Sequence, residues 1–407
     1  MTSDAPTEAY VWIWLPDATE PVVCGRLDRR DARYVFSYGR SYLERPDPVP
    51  IYEPELPLDD FEHDGLDGPM PLSIDDAAPD SWGRSVINAN LGAVGAELDP
   101  LVYLLESGSD RVGAIDFQAS PTEYIPRAPV HAPLEQLMTA ADKIDEGETI
   151  DPDLAATLVN GTPLGGARPK ALIDDDGVKL LAKFSRRSDN FLWTQSEYIA
   201  MELARRAGLD VAPVRFVESM DRGVLLVERF DRSPAGARRR VVSAATILSM
   251  QTIVAAQHFS YVELADEVRA NFIEPDATLR ELFSRIMFNI LVGNTDDHAR
   301  NHAAFILADG LALTPAYDVS PQPRTGEVAR HPRFGDGDTG RESRIAALVE
   351  AAPIYHLTPE EGREIGDQQV ATIRRDWDEV CDAAHLTTAQ RKGLLQGPIL
   401  NPYAFYE

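Results

Sequence analysis

The sequence predicts an α+β fold in which sheet-forming segments come first and helices last. Three observations carry this reading. Short aromatic and β-branched runs at hairpin-like spacing occupy residues 9–40. A second group of short strands, with one helix among them, lies between 171 and 228. From about 236 onward helices dominate, and Leu279, Leu282, Phe283, Ile286 and Ile290 recur at the spacing of one buried helix face.

Taken in order, the first strands are 9–15, broken by Pro16-Asp17, then 22–27 and 33–37. Residues 46–80 are rich in Pro and Asp and read as loop. Helices are expected over 81–91 and from 99 to 105. Four prolines, Pro121, Pro126, Pro129 and Pro133, mark a boundary. Helices at 134–144 and 152–158 follow. Strands 171–173 and 178–184 flank the turn Asp174-Asp-Asp-Gly177, and a helix over 197–207 ends at Gly208. Strands 215–218 and 224–228 complete a small sheet. A hairpin is expected at 303–307 and 311–314, and helices fill most of 342–396. The expected domains are 1–125, 126–235 and 236–407.

Composition narrows the function. The chain has 407 residues, 44% of them apolar, enough for two or three packed cores. No run of about 18 apolar residues appears, so no membrane span is expected. The N-terminus has neither a basic region nor a long apolar stretch, which does not read as a secretory signal. The two cysteines, Cys24 and Cys381, form no metal or disulfide pattern, which fits a reducing cytoplasm. The net charge of −27 repels phosphate backbones and counts against direct nucleic-acid binding. Of 39 basic residues only five are Lys, and three of those, Lys170, Lys179 and Lys183, lie close together. A Lys retained among so many Arg points to chemistry that needs an amine.

The strongest constellation is Asp296-Asp-His-Ala-Arg-Asn301 followed, after the hairpin, by Asp318. Asp and Asn at this D-x4-N spacing match the catalytic loop of a kinase, where the Asp accepts the substrate hydroxyl proton and the Asn holds magnesium. A later Asp holds the metal in the same template, and Asp318 occupies that place. Magnesium takes hard oxygen ligands, which a carboxylate and an amide carbonyl supply. Asn301 and Asp318 are therefore the candidate metal ligands. A glycine loop, Gly165-Gly-Ala-Arg-Pro-Lys170, has small residues that let backbone N–H groups approach phosphate. Taken alone, an ordinary hairpin turn explains Gly165, Gly166 and Ala167 equally well, and Lys170 reads either as a phosphate contact or as a solvated strand end. Lys183 lies inside an apolar strand, where a kinase places the Lys that meets ATP phosphates, with Glu197 as candidate helix partner; an outward Lys on an edge strand explains it equally well. The segment Glu228-Arg-Phe-Asp231 leaves a strand where a kinase hinge holds adenine, and taken alone it reads as well as a plain strand exit. Glycine loop, strand Lys, helix Glu, hinge, D-x4-N, hairpin and Asp occur in the order of a kinase domain.

These residues resemble the HipA-like serine/threonine protein kinases, the toxin half of HipA-type toxin–antitoxin pairs. Pro79-Asp-Ser-Trp-Gly-Arg84 and Asp110-Arg-Val-Gly-Ala114 look like the family's N-terminal domain. The segments 165–170, 181–184, 227–232, 294–301 and 315–319 look like its phosphate loop, ATP lysine, hinge, catalytic loop and metal segment. The resemblance implies a two-lobed protein-kinase-like fold with a small β-containing N-terminal domain and a mostly helical C-terminal lobe. It implies ATP and Mg2+ as cofactors, with Asp296 as proton acceptor. It places Gly165, Gly166, Ala167, Arg168, Pro169, Lys170, Lys183, Glu228, Arg229, Phe230, Asp231, His298, Asn301, Tyr317 and Asp318 around the nucleotide. It implies a small helix-turn-helix DNA-binding antitoxin as partner, DNA being reached only through it. It implies a protein substrate such as an aminoacyl-tRNA synthetase, whose phosphorylation halts growth and favours persistence.

One departure concerns regulation. Some family members carry an autophosphorylated serine just before the glycines. Here that position is Pro163, which cannot accept phosphate, with Thr162 beside it. The alternatives for the same residues are a small-molecule phosphotransferase and a non-catalytic ATP-binding co-regulator of a repressor.

Overall fold

The computed structural model describes residues 5–65, 68–128, 132–148, 158–159, 168–233, 235–251, 258–324 and 326–407. The chain divides into two compact units. One comprises Met1–Arg187, Ser219–Arg222 and Glu228–Val242; the other comprises Ser188–Glu218, Gly223–Val227 and Ser243–Glu407.

In the first unit, strands β1 (Glu8–Ile13), β2 (Val22–Arg30), β3 (Arg33–Tyr38), β4 (His63–Asp64) and β5 (Ile115–Gln118) form one sheet in the order β4-β3-β2-β1-β5. The pairings β1–β2, β2–β3, β3–β4 and β1–β5 are all antiparallel. Alternation explains the buried face: Ala9, Val11 and Ile13 on β1 meet Leu27, Phe36 and Phe117 in one core, closed by Leu101 and Leu104. The strands at 9–15, 22–27 and 33–37 thus form as their sequence suggests. Strand β5 escaped that reading, because Ile-Asp-Phe-Gln is only four residues long and buried at every position.

The helix Ser81–Asn90 starts where Asp80 caps it, its side chain accepting from the Gly83 amide at 3.2 Å. Pro100–Glu106 begins after Asp99 with Pro at its first position. Leu134–Asp145 forms as expected, whereas the helix expected at 152–158 falls almost wholly outside the described residues. Strands β6 (Lys170–Asp175) and β7 (Val178–Phe184) pair in register, Lys170 opposite Lys183 and Asp175 opposite Val178. The turn residues Asp176 and Gly177 both have positive φ, 51° and 87°, which suits Asp-Gly in a two-residue hairpin.

Both N-terminal motifs are fastened to later segments of this unit by buried polar contacts. Lys170 is 2% exposed, and its Nζ lies 3.2 Å from Asp80 Oδ2. Trp82 Nε1 donates to the Lys170 carbonyl at 3.2 Å. Gly113, at φ 76°, donates its amide to Asp231 Oδ2 at 2.9 Å. Arg229 bridges Asp231 (2.8 Å) and Asp110 (3.0 Å), and Arg232 contacts the same two carboxylates at 2.9 and 2.7 Å. Two guanidiniums therefore balance two carboxylates. Burial pushes the Asp231 carboxyl up, but Arg229 and Arg232 beside it outweigh that and hold it below the ordinary value. Arg111 is fully buried and binds Asp116 at 2.7 Å.

In the second unit the helix Pro275–Val292 is buried on nearly all sides over its last three turns. It packs against Tyr261–Asn271 and against the 25-residue helix Pro359–Ala383, which also packs on Trp193–Arg206. Glycine permits the closest of these approaches: a Cβ at Gly362 would lie 2.9 Å from the Phe283 ring. Strands β8 (Val214–Ser219) and β9 (Arg222–Glu228) are joined at Met220-Asp221, both with positive φ. Strand β10 (Val241–Ser243) precedes the hairpin of β11 (Ala303–Leu307) and β12 (Gly310–Leu313). Among the described residues no helix is long and apolar enough to cross a membrane, and Cys24 and Cys381 are both buried and free.

The ion network yields an expected outcome. Asp231→Ala leaves two buried guanidiniums sharing one carboxylate, which costs roughly 3–5 kcal/mol of stability. Urea denaturation of the purified variant measures it. The contribution is present above the ordinary carboxylate range and is lost as pH falls through the depressed folded value, so the wild type weakens in acid and the variant weakens less.

Candidate active site

The helix Pro275–Val292 ends at Gly293 in the left-handed region (φ 68°), where a Cβ would sit 2.6 Å from the Pro398 carbonyl oxygen. The chain turns there and enters the loop 294–302. Three buried polar contacts fix this loop, two of them to the helix. Asn289 Nδ2 donates to Asp297 Oδ2 at 2.8 Å, Asn294 Nδ2 donates to Asn289 Oδ1 at 3.1 Å, and His302 Nε2 lies 3.0 Å from Asp297 Oδ1. Phe259 and Tyr261 pack on the His302 ring, with centroids 5.5 and 5.4 Å away.

With Asp297 turned inward, its neighbour Asp296 turns outward. The Asp296 carboxylate reaches solvent and has no hydrogen-bond partner among the described residues. Enough protein surrounds it for desolvation to raise its pKa; His298 opposes the shift and Asp318 adds to it. A single 3-10 turn, Ala299–Asn301, then places Asn301, whose Nδ2 donates to the Asp296 carbonyl oxygen at 3.3 Å. Fixing the amide nitrogen leaves the Asn301 carbonyl oxygen as a hard acceptor.

The hairpin β11–β12 returns the chain to this loop. Thr314 donates both its amide (3.0 Å) and its hydroxyl (3.1 Å) to the Ala303 carbonyl. Arg285, buried in the helix, donates to the Thr314 carbonyl at 2.9 Å. Tyr317 donates its hydroxyl to the Arg300 carbonyl at 2.8 Å. Asp318 follows with φ 57°, a left-handed conformation that Asp tolerates better than most residues. Asp296, His298, Asn301, Tyr317 and Asp318 thus come together within one unit.

The other candidate residues lie in the first unit. Lys183 is half-buried on β7 opposite Lys170. Pro169 accepts from the Phe184 amide at 2.9 Å, and Arg168 precedes it. Lys170 is a buried partner of Asp80, not a solvated strand end. At 228–231, Glu228 is exposed and Phe230 half-buried, while the side chains of Arg229 and Asp231 are committed to the ion network. The side chains of Arg229 and Asp231 are thereby withdrawn from any ligand, which leaves Glu228, Phe230 and main-chain groups there. Glu197 is buried in the helix Trp193–Arg206 of the second unit. Thr162, Pro163, Gly165, Gly166 and Ala167 lie outside the described residues.

Sequence reasoning passed over Asn289, Asp297 and His302. A polar Asn inside the apolar run Ile286-Met-Phe-Asn-Ile290 was the available signal. Among the described residues no cluster of three or more His, Cys, Asp or Glu is placed to hold a metal. Asp297→Ala strands the Asn289 amide and His302 in the interior. Its expected cost is about 2–4 kcal/mol by thermal or urea denaturation, with the neutral, isosteric Asp297→Asn costing less.

Residues 15–118 match the model of the HipA N-terminal domain, and residues 162–377 match that of the HipA-like C-terminal domain. A serine/threonine-protein kinase toxin HipA of Shewanella oneidensis is 28% identical over 142 residues, 30% of this chain and 33% of that protein. A putative kinase, Y4mE, of Sinorhizobium fredii is 25% identical over 234 residues, 52% of this chain and 55% of that protein. The chain thus spans a third to about half the length of these curated relatives. HipA in the Shewanella oneidensis complex of HipA, HipB and operator DNA superposes with a TM-score of 0.69 at 19% identity, covering 95% of this chain and 96% of that one. The fold is therefore the α+β fold of HipA, and with one family model spanning more than half its length the chain belongs to the HipA-like family.

Proposed function

We propose that this chain is an ATP-dependent serine/threonine protein kinase that uses magnesium and acts as the toxin of a HipA-like toxin–antitoxin module. The observation that carries the reading is the Asp296 carboxylate, exposed, unpaired among the described residues and raised in pKa, with Asn301 and Asp318 beside it. A general base works best when it is ionised yet retains proton affinity, and desolvation supplies that. Asp296 takes the proton of the acceptor hydroxyl as its oxygen forms a bond to the ATP γ-phosphorus and the bond to ADP breaks. Asn301 Oδ1 and the Asp318 carboxylate hold magnesium, which neutralises charge on the transferring group when bound. Lys183 meets the ATP phosphates, residues 165–170 cradle them, and main-chain groups at 228–230 hold adenine. His298 and Tyr317 flank the nucleotide. In this reading 126–235 and 236–407 are the two kinase lobes.

The relative of known structure is described as a complex with HipB and operator DNA. By that analogy the partner here is a small helix-turn-helix DNA-binding antitoxin. The −27 charge supports the division of labour, because an acidic chain leaves the DNA-facing surface to the partner. The substrate class is a translation protein such as an aminoacyl-tRNA synthetase, and its modification restrains growth in the cytoplasm.

Purified protein with magnesium and γ-labelled ATP is expected to label a protein in a cell lysate. Asp296→Asn should lower the rate by roughly 10^2–10^4 while ATP binding, measured by calorimetry, persists. Chelating magnesium should stop transfer. The base must be deprotonated, so the rate falls as pH drops through the raised Asp296 value, and the acid limb lies above that of an ordinary Asp. Normal ATP binding without any protein labelling would exclude the kinase reading.

A further inference from the structure

A second polar constellation adjoins the loop 294–302. A cavity of about 330 Å³ is lined by Thr295 and Asp297, the two neighbours of Asp296, by Arg330, His331 and Arg341, and by Phe259. By liquid volume it holds on the order of ten waters, ample for one acidic side chain. Two short antiparallel stretches shape it. Ser343 donates its amide to the Ala329 carbonyl at 3.0 Å, His331 donates its amide to the Arg341 carbonyl at 2.8 Å, and the Arg330 backbone lies opposite that of Glu342 in an antiparallel bridge. This backbone pairing sets Arg330, His331 and Arg341 side by side.

Their side chains have little else to do. Among the described residues neither the Arg330 nor the Arg341 guanidinium has an ion pair or hydrogen bond. That is unusual in a chain with 66 acidic and 39 basic residues. His331 is 3% exposed; its Nε2 lies 3.0 Å from Ser343 Oγ, and its Nδ1 has no hydrogen-bond partner. Where the Ser343 hydroxyl donates to Nε2, Nδ1–H is a buried donor awaiting an acceptor. The Asp297 carboxylate in the wall is already satisfied by Asn289 and His302.

We propose that Arg330, Arg341 and His331 form an anion-binding subsite next to Asp296, and that it receives a carboxylate- or phosphate-bearing side chain of the protein substrate near the acceptor hydroxyl. The proposal rests on the kinase reading for the identity of its ligand. Planar guanidiniums suit either oxyanion. The net charge makes the effect diagnostic: the field of a −27 protein repels an acidic peptide, so any preference for one arises at a local site.

The test uses the full chain and three labelled peptides that share a central Ser, flanked by Glu, by Gln or by phosphoserine. Fluorescence anisotropy is expected to show the Glu and phosphoserine peptides binding roughly tenfold tighter than the Gln peptide; comparing the first two separates carboxylate from phosphoryl. In the double variant Arg330→Gln, Arg341→Gln that preference should vanish, with KM for the Glu peptide raised and kcat unchanged. Arg341→Glu, a second variant checked for an unchanged melting temperature, should turn the preference toward a Lys-flanked peptide. Equal binding of the Glu and Gln peptides by wild type, or an acidic preference that survives the double substitution, overturns the subsite. The two readings separate cleanly. Discrimination without phosphoryl transfer removes the kinase assignment and leaves the subsite, and transfer without discrimination does the reverse.

Discussion

A carboxylate withdrawn from water must be met by donors, and Asp297 is the group around which the second unit settles this requirement. The Asn289 amide comes from the last turns of a helix buried on nearly all sides, and the His302 ring comes from the residue just before β11. One carboxylate therefore ties the helix to the loop that leads into β11. Because adjacent side chains in such a loop diverge, an inward Asp297 commits Asp296 to face outward. Position and exposure of the proposed base thus follow from satisfying its neighbour.

The first unit solves a similar problem with charge pairs. Four ionised groups, Asp110, Arg229, Asp231 and Arg232, are buried together with no net charge. Such a cluster adds little over an apolar core of the same volume, but removing one member is costly. Its geometry is therefore hard to alter piecemeal. Lys170 and Asp80 repeat the arrangement on a smaller scale, with Trp82 holding the same strand end through its indole N–H. The motifs at 79–84 and 110–114 are thereby tied to the beginning of β6 and to residues 229–232.

Much of this was legible in the residues alone. Periodicity located the helices and most strands because one face of each is buried, and the segment Asp296 to Asn301 ends in a single 3-10 turn at Ala299–Asn301. What escaped depended on distant partners. Nothing local says that Lys170 is buried, since Asp80 lies 90 residues away. Nothing local says that Arg229 and Asp231 point away from solvent, since Gly113 is 118 residues before Asp231. Two adjacent aspartates are chemically identical in sequence, and only the packing of Asn289 and His302 tells the structural one from the exposed one. Arg330, His331 and Arg341 fit no periodic pattern, because the antiparallel pairing that groups them is short and irregular.

The left-handed backbone at Asp318 carries a consequence for the tolerance of this position to change. At φ 57° Gly, Asn and Asp are favoured, although Met220, His356 and His385 adopt the same region in this chain. The metal-binding chemistry proposed there is served best by a carboxylate. Asp meets both preferences. Glu keeps the charge but resists the turn, and Asn keeps the turn but loses the charge. Position 318 is therefore a site where backbone stereochemistry and ligand chemistry both press toward the same short carboxylate.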